Sequence, residues 1–188
     1  EGTSKPGNAS LSTVMIASHG EAARINVSGK DMLRSLQRIL DRHHRSLVVH
    51  GYKEQSHLLG SVGVEFPEPL FDTKLAGYLV HPDFHADTLE QAAAHFLDLH
   101  VEAQDESATQ GTLDFDEPEG SDSEDDEKLA AHVAIVGLLA DYLSGILDER
   151  KQFGLLESIE IPVSHVLHGM EQAGAQVQGV GIVIEKGF

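Results

Sequence analysis

The sequence contains no cysteine, which excludes a disulfide framework and any thiolate metal site and fits a cytoplasmic protein. Its apolar runs fall short of a membrane span, and the opening residues, EGTSKPGNAS, lack the pattern of a signal peptide. A soluble protein with no membrane partner is therefore expected. Cations are scarce: 13 Lys and Arg stand against 31 Asp and Glu, a formal charge of −18. Eleven of those acids lie in residues 105–127, where there is no Lys or Arg, and setting them aside leaves −7. Neither balance suits a domain that grips a phosphate backbone by itself, because such binding needs clustered cations to release counterions. The HExxH pattern of zinc hydrolases and the GxSxG nucleophile elbow are also missing.

What is present is enough apolar material for one folded domain: 188 residues, of which 40% are hydrophobic. Residues 1–12 are rich in Gly, Ser, Asn and Pro and read as a loop. Residues 13–17 and 23–27 read as strands of a hairpin around His19-Gly20-Glu21. Ser28, with Asp31 three residues on, has the form of a capping box, and Met32, Leu33, Leu36, Ile39 and Leu40 fall on one helical face. Arg34, Arg38, Arg42 and Arg45 are the one basic cluster, and the first three, at i, i+4 spacing, read as the solvated face of that helix.

Residues 46–82 organise the rest. Residues 46–49 form a short β-branched run that suits a buried parallel strand, and 52–59 a short helix. Residues 62–66 alternate like a second strand, and Pro67 and Pro69 end it before a helix expected from Leu70. Strand, helix, strand, helix in so short a space indicates a wound α/β sheet. Asp87 is expected to cap an Ala-rich helix whose Leu89, Ala93, Phe96 and Leu97 face the core. Residues 105–127 lose all periodicity and read as an acidic disordered loop. Residues 129–147 predict a helix apolar on most sides and hence among the most buried. Pro162 suits a first helical turn, Val163, Val166, Leu167 and Met170 are expected to face the core, and Gly174 to stop that helix.

The order of an apolar strand, Tyr52-Lys53, Leu58-Leu59, a Gly-containing turn, Phe71-Asp72-Thr73, Leu75-Ala76 and Tyr78-Leu79 resembles the 3′-5′ exonuclease domain of bacterial, family-A DNA polymerase I. Residues 87–97 and 157–177 resemble later segments of that domain, so the likeness covers about residues 13–177. It implies an RNase H-like (DnaQ-like exonuclease) α/β fold, a mixed sheet flanked by helices. The likeness breaks at the end. The family continues into a long polymerase helix, whereas residues 179–188, GVGIVIEKGF, are a strand sequence. The family's first strand precedes the loop that residues 1–12 resemble, so residues 179–188 are expected to be that strand relocated by circular permutation. An unrelated tail is the other reading. Gly179 and Gly181 without a third glycine or a following helix do not make a dinucleotide loop.

The resemblance also implies a site. Exonucleases of this class hold two metal ions with converging carboxylates: Asp-x-Glu on the first strand, Asn-x-x-x-Asp at the second motif, Tyr-x-x-x-Asp on a late helix. Here the second motif falls on Gly51 and Gln55, and the third on Leu129 and Val133. If the C-terminal strand is the first motif, Val183 and Glu185 stand there, leaving one acid of the four. Val133 cannot coordinate Mg²⁺ and Gln55 brings no charge, so no catalytic residue, metal or cofactor is expected; Mg²⁺ would enter only if neighbours such as Glu54, His132 or Asp72 rebuilt the site. Asp72 reads as a helix-start cap. Twelve His, with His165 and His168 at i, i+3 and His43, His44, His81 and His85 elsewhere, show no metal pattern.

Within the acidic segment, Gln110, Leu113 and Phe115 fit Q-x-x-L-x-F, which resembles the peptide by which bacterial replication proteins dock on the sliding clamp. The reading is thus a catalytically inactive exonuclease-like domain with a structural role beside a polymerase domain in DNA replication and repair. It would meet DNA through the parent polymerase. Two alternatives stay open: an active metal-dependent exonuclease with a rearranged site, and a clamp-docking interaction module.

Overall fold

A computed structural model describes residues 11–100 and 121–174, with side chains of the last stretch from Asp126 onward. Residues 1–10, 101–120 and 175–188 lie outside it, and with them the positions Gln110, Leu113, Phe115, Val183 and Glu185.

The described chain is mixed α/β and mostly helical. Strands β1 (Thr13–Ser18) and β2 (Glu21–Asn26) form an antiparallel hairpin in the register Ser18↔Glu21 to Thr13↔Asn26. His19 and Gly20 make its two-residue turn, both at positive φ (52° and 82°), the twist that matches the strands. Helix α1 (Lys30–His43) follows, with Gly29 at the N-cap and no side-chain cap bond, so the capping box expected from Ser28 does not form. Leu36 and Leu40 are buried, while Met32 and Ile39 stay largely exposed. After β3 (Val48–Val49) comes α2 (Tyr52–Ser61); β4 (Phe71–Asp72) pairs with β3 in parallel and runs directly into α3 (Thr73–Val80). Then come α4 (Leu89–Leu97), α5 (Ser121–Glu149), the short α6 (Phe153–Leu155), a π-helical turn (Leu156–Glu160) and α7 (Ile161–Gln172).

Several boundaries differ from the sequence reading. Residues 62–66 are not a strand: Gly63, at φ 78°, ends α2, and the amides of Gly63 and Val64 bond back to the Gly60 and Leu59 carbonyls, a Schellman motif. The alternation still has a use, since Val64 and Phe66 are buried. The Gln37 side chain stands in for a strand partner, accepting from the Glu65 amide at 2.8 Å and donating to its carbonyl at 2.9 Å. The helix expected from Leu70 begins at Thr73, because Phe71 and Asp72 are taken into the parallel pair. The cap of α4 is Thr88, whose hydroxyl accepts from the Gln91 amide; Asp87 precedes it. Residues 121–127, placed in the acidic loop on composition, open α5; carboxylates in a helix's first turns are favoured by its dipole, and Asp126 is paired with Arg24 of β2 at 2.8 Å.

Two apolar clusters form the core. One joins α3, α4, α5 and α6 with the π-helical turn through Phe71, Ala76, Ala93, Leu139, Leu143 and Leu156; the other joins the hairpin, α1 and α2 around Leu36, Leu40, Tyr52 and Phe66. Helix α5 buries a row at i, i+4, namely Ile135, Leu139, Leu143 and Leu147, but Leu138 and Tyr142 are about half exposed, so it is one-sided rather than buried all round. By length and mean hydropathy it is long and apolar enough to cross a bilayer. Reading contiguous runs missed this, because His132 and Asp141 interrupt the run without making the helix polar. In the folded chain the buried row packs on α3 and α4. The π-helical turn sets the phase of α7: the Ile161 amide bonds to the Leu156 carbonyl, and both side chains are buried. The expected core face of α7 is wrong. Val163, Val166, Leu167 and Met170 are exposed, and Ile161 and Ser164 face inward instead.

Candidate functional site

Ligands of open α/β sheets gather at the carboxyl ends of the parallel strands, which here are Val49-His50-Gly51 and Asp72-Thr73. Asp72 is the node between them. Fully buried, its carboxylate accepts from the amides of Lys74 (2.8 Å) and Leu75 (3.4 Å), capping α3 as the sequence suggested. It also accepts from Gly51 (3.1 Å) and Tyr52 (2.7 Å), capping α2, which no local pattern announces. Two helix N-termini therefore converge on one carboxylate. Burial pushes its pKa up, against the pull of these four amides.

Beside it, the Thr73 hydroxyl donates to the Val49 carbonyl at 3.2 Å and so accepts from His50 Nδ1 at 2.9 Å. That leaves His50 Nε2 buried with no partner. A proton there would have no acceptor, which fits a neutral ring: burial, and then the Lys74 charge, bring its pKa down to about 4. Glu54 pairs with Lys74 at 2.7 Å, and although burial works to raise its carboxyl, the ammonium holds it below the ordinary value. His132 Nε2 lies 3.1 Å from Glu90; burial raises Glu90, but its own backbone amide, the Thr88 hydroxyl, His132 and His50 leave it lowered.

The motif positions fall as follows. Gly51 is the left-handed N-cap of α2 (φ 74°), a conformation that favours glycine; a Cβ there would meet Glu54 Oε2 at 2.9 Å. Gln55 is exposed one turn into α2, and Leu129 and Val133 are half-buried on α5. An open cleft of about 470 Å³ lies between α2, α3 and α7, lined by Gly51, Glu54, Lys74, Tyr78, Val163 and Leu167 among others; of the four motif positions in the described residues, only Gly51 borders it. The donor set does not fit the two-metal site that the resemblance implies. Gly, Gln, Leu and Val supply no carboxylate at these positions; of the acids beside Gly51 in the cleft, Asp72 is taken up by four backbone amides and Glu54 is paired with Lys74. Among the described residues no group of three or more His, Asp or Glu could hold a metal ion.

The histidines of α7 are engaged between helices. Tyr52 Oη donates to the Phe66 carbonyl at 3.0 Å and so accepts from His165 Nδ1 at 2.8 Å; burial pushes the phenol up to about 12. His57 Nε2 and Lys53 Nζ both bond to Glu171, at 2.7 and 2.9 Å, and lower its pKa, while His168 stacks edge-on to His57. Sequence spacing placed His165 and His168 on one face, but not the α2 residues that meet them.

No protein-family model matches the chain. It is 31% identical to DNA polymerase I of Mycobacterium bovis over 129 residues, which is 69% of this chain and 14% of that polymerase. It is 30% identical to DNA polymerase I of Mycobacterium leprae over 132 residues, 70% of this chain and 14% of the relative. The fold matches part of a solved structure, the POL domain of Pol1 from M. smegmatis in complex with DNA primer-template and dNTP, with a TM-score of 0.71 and 23% identity over 93% of this chain and 28% of that one. The chain is homologous to a segment of DNA polymerase I and spans 14% of the length of these relatives.

Proposed function

We propose that this chain is a catalytically silent, RNase H-like 3′-5′ exonuclease domain of a DNA polymerase, serving as a folded platform beside the polymerase domain in replication and repair. The observation that carries the reading is the pairing of a retained scaffold with a vacated donor set. Asp72 still ties the starts of α2 and α3 together, yet Gln55 and Val133 stand where the motifs have their carboxylates, with Gly51 and Leu129 at the accompanying Asn and Tyr positions. A buried cluster of carboxylates is destabilised by mutual repulsion when metal is absent, and apolar or neutral side chains there remove that cost. The residues 179–188 would supply the sheet's first strand from the C-terminus, with Val183 and Glu185 at the first motif. DNA would be met through the parent polymerase, in the cytoplasm.

The test is a Mg²⁺ and Mn²⁺ titration by calorimetry, with a labelled single-stranded oligonucleotide present to report cleavage. The expected outcome is neither saturable metal uptake at about millimolar concentration nor nucleotide release. Metal uptake with cleavage would establish the rearranged-site alternative, and mutation of Glu54, Asp72 and Glu185 would then locate its ligands. The clamp-docking reading rests on Gln110, Leu113 and Phe115; binding to a sliding clamp lost on Leu113→Ala with Phe115→Ala would support it.

A further inference from the structure

The one basic cluster of this acidic chain lies where the fold makes no use of it. At about 100° per residue, Arg34, Arg38 and Arg42 span an arc of about 80° on the side of α1 away from Leu36 and Leu40, and Arg45 follows just past its end, in the 3₁₀ turn His44–Ser46. All four are exposed. Arg34 pairs with Asp31 at 3.0 Å, but Arg38, Arg42 and Arg45 have no ion-pair partner among the described residues. Asp41, three residues from Arg38 and four from Arg45 in sequence, is bonded by the Gln37 amide instead.

A ladder of like charges at i, i+4 weakens a helix slightly, so this arrangement does not serve the fold. With Lys30, the segment 30–45 carries five of the 13 cations against two acids in a chain whose formal charge is −18, so it is a local excess of positive charge. We propose that the face of α1 that carries Arg34, Arg38 and Arg42, extended by Arg45 just past its end, docks the phosphodiester backbone of a nucleic-acid strand.

Arginines four apart rise about 6 Å along the helix, a straight and regular row comparable in pitch with successive phosphates of an extended strand, and each guanidinium can hold a phosphate bidentately. The acids of residues 105–120 show no such regular spacing, which favours a phosphate chain over an acidic peptide as occupant. The surrounding negative charge would keep nucleic acid off the rest of the surface and so orient it along α1. This surface goes beyond the silent-platform reading: it gives the chain a nucleic-acid contact of its own in addition to the one made through the parent polymerase, and it requires neither metal nor cleavage.

The experiment is fluorescence anisotropy of the 188-residue protein with a labelled oligothymidylate of about 20 nucleotides, from about 25 to 200 mM salt. Four arginine contacts predict saturable binding whose log–log salt slope is near −2.8, at about −0.7 per phosphate of a single strand. Arg38→Glu with Arg42→Gln should weaken binding at least about tenfold at the lowest salt and bring the slope to about −1.4. In this double variant the acid at position 38 stands four residues from Arg34 and one like-charge pair is removed, so its melting temperature should equal or exceed that of the unmodified protein, separating lost contacts from lost fold. Absence of binding at the lowest salt, or binding unchanged by the substitutions, overturns the proposal. So does binding that emerges only after residues 105–120 are deleted, which would make the chain's own acidic segment the occupant. None of these outcomes bears on metal uptake, so each proposal can fail alone.

Discussion

Asp72 shows how much one side chain can hold. Its carboxylate satisfies four backbone amides at the starts of two helices, where an N–H has no partner within its own helix. Asp72→Ala should lower the unfolding free energy by about 3 kcal/mol, with Asp72→Asn intermediate because one oxygen is kept. Urea unfolding reads this as a shift of midpoint at unchanged slope; a loss below about 1 kcal/mol would mean that water replaces the carboxylate. Sequence reading found half of this role, the cap on α3, because that cap is local. The half that binds Gly51 and Tyr52 is about 20 residues distant and has no sequence signature.

His50 gives the second residue-scale prediction. Its pKa is lowered from 6.5 to about 4, so the folded chain binds its proton less tightly than the unfolded chain does. The associated stability is fully present above pH 6.5 and is lost as pH falls towards 4, a total of about 3 kcal/mol. Unfolding measured between those limits should show this slope, and His50→Gln, which can still reach the Thr73 hydroxyl, should flatten it. A slope retained in the variant would place the titration on another group.

Among the elements, α2 and α7 are joined by polar contacts that no periodicity could forecast. Lys53 and His57 of α2 both bond to Glu171 of α7, and Tyr52 meets His165. Glu171 and Lys53 are each about one-third exposed, which discounts their ion pair, whereas His57 is 7% exposed and would lose its partner. Glu171→Ala should therefore cost about 1–2 kcal/mol. The loss should be local: hydrogen exchange of the α7 amides should quicken while that of α5 stays unchanged. Equal acceleration in both helices would mean that the two do not open separately. The inward face of α7 was misread for a physical reason, since its own residues are apolar on the exposed side and the π-helical turn before it resets the phase.

At the scale of the whole molecule, charge and apolar surface are unevenly spread. Positive charge is concentrated on α1, acids gather around the start of α5, and apolar side chains line the outer side of α7. The metal titration and the anisotropy experiment belong to this scale, because one asks what the cleft beside Gly51 binds and the other what the face of α1 does. The homologous segment is a small part of its relatives, and an exposed row such as Val163, Val166 and Met170 is the surface that would separate this chain alone from the chain within a larger assembly.

The sequence by itself determined the hairpin, the first strand of the parallel pair, most of the helices and the lack of a carboxylate at Gln55 and Val133, because these depend on local periodicity, turn chemistry and residue identity; that Phe71 and Asp72 supply the second parallel strand was decided by packing. The likeness to DNA polymerase I was legible for the same reason, being carried by residues in fixed order. Tertiary structure decided which apolar faces were buried, where the alternating residues 62–66 found their hydrogen bonds, and which acids met which cations. Gln37 reaching Glu65, Asp72 reaching Gly51 and His57 reaching Glu171 each join residues far apart in the chain. Such contacts form only when packing brings the backbone together, and no local pattern encodes that proximity.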